Sequence, residues 1–104
     1  VTIAFEGQDI AFDIDEVIVA AGQEITVELN NVGELDHNWI LTTDDIRPRN
    51  ATEADALTGT NSGIVTAGQS KSFTFTAPEA GSYKFVCTIE GHAFAGMVGD
   101  FTVE

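Results

Sequence analysis

The sequence is short of several residue types, and each scarcity excludes something. It has one cysteine, Cys87, so no disulfide can form within the chain. The fold must then stand on packing or on a metal. It has four basic residues against 17 acidic ones, a formal net charge of -13. A surface of that sign repels phosphate, which argues against nucleic-acid binding and against docking on anionic lipid. No apolar run approaches the roughly 18 residues of a membrane span, and no signal peptide is visible. The chain opens at Val1 and its sole methionine is Met97. We therefore expect a processed form or an excised domain, from which any targeting segment or anchor is already gone.

What is present is enough for one domain. The chain has 104 residues, of which 43% are hydrophobic, close to the globular average. A single domain spanning residues 1–104 is expected. Val, Ile, Leu and seven Phe are spread along the chain, unlike a disordered acidic tail.

The dominant period is two. Ile10, Phe12 and Ile14 alternate with polar or small residues, as do Ile25, Val27 and Leu29. Phe73 and Phe75, Tyr83 and Phe85, and Phe101 and Val103 repeat the pattern. Each such run is a half-buried strand, apolar inward and polar outward. Thr2 to Phe5, Val17 to Ala20 and His37 to Leu41 also read as strands. Gly- and Pro-containing turns separate them. About eight short strands without a βαβ pattern predict an all-β, antiparallel-rich Greek-key sandwich. The stretch Thr43 to Gly63 breaks the period and reads as one long crossover loop. Within it Asn50 to Leu57 is expected to form a short helix, with Asn50 as cap and Glu53 completing a capping box.

The chemistry gathers in Cys87-Thr88-Ile89-Glu90-Gly91-His92-Ala93-Phe94-Ala95-Gly96-Met97. This segment holds the only Cys, the only Met and one of two His, spaced C-x4-H-x4-M. By strand parity Cys87 shares the inward face of Tyr83 and Phe85. The other histidine, His37, shares a face with Trp39 and Leu41 at the start of a strand. A Greek-key sandwich can bring such strand ends together at one pole. Two imidazoles and one thiolate, with a weak thioether, are the donor set of a trigonal electron-transfer copper site.

At these residues the sequence resembles the cupredoxins, the small blue copper proteins. The resemblance covers essentially the whole chain. His37-Asn38-Trp39-Ile40-Leu41 looks like the first ligand segment of azurins. The second loop, with four residues before His92 and four before Met97, looks most like that of the auracyanins. The resemblance implies one type 1 copper ion, with His37, Cys87 and His92 as equatorial ligands and Met97 as the axial one. It implies that Asn38 ties the first segment to the second loop through Thr88. It also implies that the N–H groups of Asn38 and Ile89 donate to the Cys87 sulfur. One departure is visible: Asp36 stands where azurins carry a Gly whose carbonyl approaches copper, so four-coordinate copper is expected.

The function so implied is one-electron transfer between Cu(II) and Cu(I), without catalysis, by a soluble or tethered shuttle. His92 would be the electron exit. Val32, Gly33, Ala93, Phe94 and Ala95 would form a docking patch for redox proteins or membrane redox complexes of a photosynthetic or respiratory chain. Glu34, Asp36 and Glu90 would orient a basic partner. The place implied is the periplasmic or extracytoplasmic face of the membrane, with a monomer as the working form. Two other readings stay open on the residues alone. An electron-accepting domain of a larger copper oxidoreductase would need further His from elsewhere. Copper storage or delivery would call for Met- or His-rich tracts or paired Cys, which this chain lacks.

Overall fold

The computed structural model describes residues 1–104, in which eight strands form two four-stranded sheets. The strands are β1 (Thr2–Gln8), β2 (Ala11–Phe12), β3 (Glu16–Val19), β4 (Glu24–Asn31), β5 (Ile40–Thr43), β6 (Ser70–Thr76), β7 (Gly81–Val86) and β8 (Val98–Val103). One sheet has the order β2-β1-β4-β6 and the other β3-β8-β7-β5. The β1–β4 and β3–β8 pairs are parallel, and the remaining four are antiparallel. The chain changes sheet five times, which gives the expected Greek-key sandwich. A single-turn helix, α1 (His92–Ala95), sits between β7 and β8.

The alternation in the sequence places the core. Phe5, Ile25, Val27, Leu29 and Phe75 from one sheet meet Val17, Phe85 and Phe101 from the other. Trp39 lies at the centre, stacked on Phe85 at 5.8 Å between ring centroids. Each large side chain so buried contributes roughly 1.5–3 kcal/mol.

Three local expectations are corrected. The strand expected over 10–14 is only Ala11–Phe12, because its ladder with β1 ends after the Gly7–Phe12 and Gln8–Ala11 pairs. Ile10 and Ile14 still pack on the core, so the parity survives without the hydrogen bonds. The strand expected at His37 begins at Ile40, and His37 makes an isolated bridge to Val65 instead. The helix expected over 50–57 is two separate 3-10 turns, Pro48–Asn50 and Glu53–Asp55. Ala51 between them is extended and buried, packed with Ile40 and Val86, so a continuous helix cannot form. The capping contact belongs to Thr52, whose N–H donates to the Asp55 carboxylate at 2.8 Å.

The long crossover has a clear structural job. β5 is an edge strand, and an open edge exposes unpaired backbone groups. The returning crossover covers it. The Leu57 N–H donates to the Leu41 carbonyl at 2.8 Å and the Ser62 N–H to that of Trp39 at 3.0 Å. The Ser62 hydroxyl accepts from the Trp39 N–H at 2.9 Å, and Thr60 Oγ1 accepts from the Leu41 N–H at 3.3 Å. Ile40 and Val86, on the outer face by parity, are fully buried because this crossover and Ala93 of α1 cover them.

Gly99 is the tightest point of the second sheet. It pairs with Phe85, and a Cβ there would collide with the Phe85 ring and crowd the Asp15 carbonyl. Gly99→Ala should therefore destabilise the fold by about 1–3 kcal/mol. Urea unfolding should show this as a lower midpoint at unchanged slope.

Candidate metal centre

β7 is hydrogen-bonded on both sides, to β5 and to β8. Its register pairs Val86 with Ile40 on one side and with Val98 on the other. Carried one residue beyond β7, that register sets Cys87 between Trp39 and Met97. The Cys87 N–H indeed donates to the Met97 carbonyl at 3.1 Å. One residue further, Thr88 meets Asn38. Their contact is reciprocal: Asn38 Nδ2 donates to Thr88 Oγ1 at 2.7 Å and the Thr88 N–H to Asn38 Oδ1 at 2.6 Å. Between Cys87 and Met97 the chain makes a tight detour. Gly91 turns it at a φ of 83° that other residues rarely adopt. The His92 carbonyl then accepts from the Met97 N–H at 3.0 Å, which closes α1.

This arrangement gathers His37, Cys87 and His92 into one buried cluster, with donor atoms all within 4.8 Å of one another. His37 Nδ1 lies 3.3 Å from His92 Nδ1, and Cys87 Sγ lies 3.5 Å from the same nitrogen. Bonds from a first-row metal to His nitrogen or Cys sulfur run about 2.0–2.3 Å, so neighbouring donors in one shell stand about 3–4 Å apart. Both separations fall in that range, and the donors fit a single ion. Thiolate and imidazole select a soft or borderline metal, and a nearby thioether suits copper better than zinc. Met97 is fully buried beside them, as is His37, while His92 keeps 7% exposure.

The polar surroundings of these donors are largely satisfied. The Asn38 N–H donates to Cys87 Sγ at 3.4 Å, and the Ile89 N–H reaches the same sulfur. Burial pushes the Cys87 thiol up, against the pull of those two N–H groups. Burial lowers the His92 imidazole, and the neighbouring His37 lowers it further. Of the proposed docking residues, Phe94 is 77% exposed and Val32 58%, Ala95 is exposed, and Gly33 and Ala93 are half-buried.

Several residues here carry no sequence signal. Asp9 Oδ1 lies 3.0 Å from His37 Nε2, yet Asp9 is one acid among 17. The backbone N–H of Glu34, then those of Leu35 and the His37 ring, hold its carboxyl below the usual range, against partial burial. Asn31 is buried, and its amide donates to the carbonyls of Leu35 at 2.7 Å and Val65 at 2.8 Å. Leu35 and Ile64 add exposed apolar surface on the segments that flank His37. No motif marks Asp9, Leu35 or Ile64, and Asn31 shows only the inward parity of β4, because what they do depends on loops that meet in the fold.

The Asn38–Thr88 clamp is the reciprocal side-chain tie between the two donor segments. Asn38→Ala removes both bonds and leaves the Thr88 N–H half-buried without its partner. Loss of about 2 kcal/mol is expected in denaturant unfolding of the metal-free protein. Faster copper loss to a chelator should accompany it.

Comparison with known proteins agrees with this geometry. The whole chain, residues 1–104, matches the model of copper binding proteins of the plastocyanin/azurin family. Auracyanin A of Chloroflexus aurantiacus is 32% identical over 116 residues, covering 88% of this chain and 67% of that protein. Auracyanin B of the same organism is 36% identical over 94 residues, but the chain spans only 39% of its length. Plastocyanin of Sambucus nigra is 34% identical over 105 residues, with 99% of both chains covered. The solved structure of auracyanin A superposes with a TM-score of 0.83 at 28% identity, covering 100% of this chain and 98% of that one. The same fold recurs in a Cu-containing nitrite reductase from Thermus scotoductus, with a TM-score of 0.70 at 17% identity. With its buried cysteine–histidine cluster and these likenesses, the chain belongs to the plastocyanin/azurin family of copper-binding proteins, the blue copper proteins that transfer electrons.

Proposed function

We propose that this chain is a one-electron shuttle whose single copper ion is held by His37 Nδ1, Cys87 Sγ and His92 Nδ1, with the Met97 thioether as a weaker fourth donor. The observation that carries the reading is the buried cluster of three donor atoms within 4.8 Å of one another. When bound there, copper supplies the Cu(II)/Cu(I) couple. The chain supplies a frame that differs little between the two states. Asn38 and Thr88 lock the donor loops together, the Asn38 and Ile89 N–H groups fix the sulfur, and burial excludes water from the donors. A frame of this kind keeps reorganisation small when an electron moves.

The same reading makes the chain a carrier rather than an enzyme. Catalytic copper chemistry would call for further ligands, and both histidines of the chain already lie in this cluster. His92, the histidine with some exposure, is the electron exit. Of the six exposed large hydrophobics, four stand on segments near His37 or His92: Val32, Leu35 and Ile64 on loops, and Phe94 in α1. With Gly33, Ala93 and Ala95 they form a transient docking face. Glu34, Asp36 and Glu90 are exposed nearby in the chain and suit a basic redox partner. No helix is long and apolar enough to cross a membrane. The working form proposed is a monomer at the extracytoplasmic face, exchanging electrons with larger redox complexes.

One equivalent of Cu(II) added to metal-free protein should produce an intense blue or green band with a narrow copper hyperfine splitting. Cys87→Ser should lose that band, since the absorption is thiolate-to-copper charge transfer. A variant as intensely coloured as the parent would overturn the ligand assignment. Met97→Gln should keep the colour and lower the reduction potential, because an oxygen donor favours Cu(II). The docking face predicts that electron exchange with a basic redox protein slows by about tenfold or more as salt rises from low to physiological levels. Phe94→Ser, which removes the apolar contact without adding charge, should slow the same exchange without moving the potential, and an unchanged stopped-flow rate would remove Phe94 from the face.

A further inference from the structure

We propose that Asp9 is a positioning residue for the metal centre: its carboxylate holds the His37 ring by Nε2–H and keeps a negative charge one imidazole away from the copper, favouring Cu(II). The inference rests on the ligand assignment above.

The two nitrogens of His37 face opposite ways. Nδ1 points to His92 at 3.3 Å, and Nε2 points to Asp9 Oδ1 at 3.0 Å. An imidazole that donates through Nε2 presents Nδ1 as a lone pair, which is the form a metal requires. The contact therefore settles both the tautomer and the ring angle. His92 has no such carboxylate partner. One imidazole is anchored deep in the fold, and the other is left at the rim.

The carboxylate is itself held in place. The Glu34 N–H donates to Oδ2 at 2.7 Å and the Leu35 N–H to Oδ1 at 3.3 Å. The loop bearing those two donors is braced by Asn31. Its amide donates to the Leu35 carbonyl, and its Oδ1 accepts from the Gly33 N–H at 3.0 Å. Two glycines leave the necessary room. A Cβ on Gly7 would lie 3.1 Å from His37 Cδ2, and a Cβ on Gly33 would collide with the Asp9 carboxylate. Asp9 follows β1, in the sheet opposite the one whose flanking segments carry His37, Cys87, His92 and Met97. It is thus the polar tie from the first sheet to the site. A carboxylate on the far nitrogen makes imidazole a stronger donor, and its charge favours the higher oxidation state.

Asp9→Asn retains an acceptor and the shape but removes the charge. In spectroelectrochemistry it should shift the Cu(I):Cu(II) ratio about tenfold toward Cu(I) at fixed potential, which is about 59 mV for one electron. Asp9→Ala should shift it further, while Glu6→Gln, which removes an equal charge that does not touch His37, should leave it nearly in place. A second readout needs no variant. In the diamagnetic Cu(I) protein, the His37 Nε2 proton should resonate far downfield and exchange slowly with water. An Asp9→Asn protein with parent-like colour and an unmoved potential would overturn the proposal. So would a His37 Nε2 proton that exchanges as fast as that of a free imidazole, or an equal shift from Glu6→Gln. Absence of the intense band in the parent protein would instead overturn the ligand assignment itself.

Discussion

The register of β7 with its two neighbours is the constraint on which the rest depends. Because Val86 pairs with both Ile40 and Val98, the next residue stands between Trp39 and Met97. A slip of one residue would turn Cys87 outward and move its partners with it, since side chains alternate faces along a strand. The alternating aromatics resist such a slip. Tyr83, Phe85 and Phe101 can enter the core in one phase only. Hydrophobic packing in the sandwich thereby aims the polar groups at its end, several residues away from where the packing energy is gained.

The two sheets contribute unequally to the centre. The four proposed donors lie on the segments that lead into β5 and join β7 to β8 in the second sheet, and the first sheet carries Asp9 and the braced loop after β4. The crossover between β5 and β6 closes the exposed edge of β5 and buries the outer face at Ile40 and Val86. The first donor segment, which leads into that edge strand, is therefore held on both sides, by Ser62 and Val65 on one and by Cys87 and Thr88 on the other. A donor on an unpaired edge would be free to move as charge at the metal changes.

Burial has opposite effects on the groups at the centre. It excludes water and raises the thiol of Cys87, which works against the thiolate that a metal needs. It also lowers the imidazole of His92, which favours the neutral ligand form. Two backbone N–H groups partly offset the first effect by donating to the sulfur. Metal binding and the folding of this pole are consequently linked, because the ion supplies the compensation that apolar surroundings withhold.

By itself the sequence determined the sandwich, the inward parity of Cys87 and His37, and the donor types gathered in C-x4-H-x4-M. These are period-two and composition signals, carried by residues close together in the chain. The Asn38–Thr88 tie came with the family resemblance. Tertiary structure alone decided how the Thr43–Gly63 crossover covers β5 and why Ala51 splits the expected helix into two turns. It alone brought Asp9 to His37, across 28 positions of sequence. An acid among 17 carries no mark of its partner, and a loop's backbone donors follow no period. Those contacts arise only when two sheets close over one core and bring distant loops to the same pole.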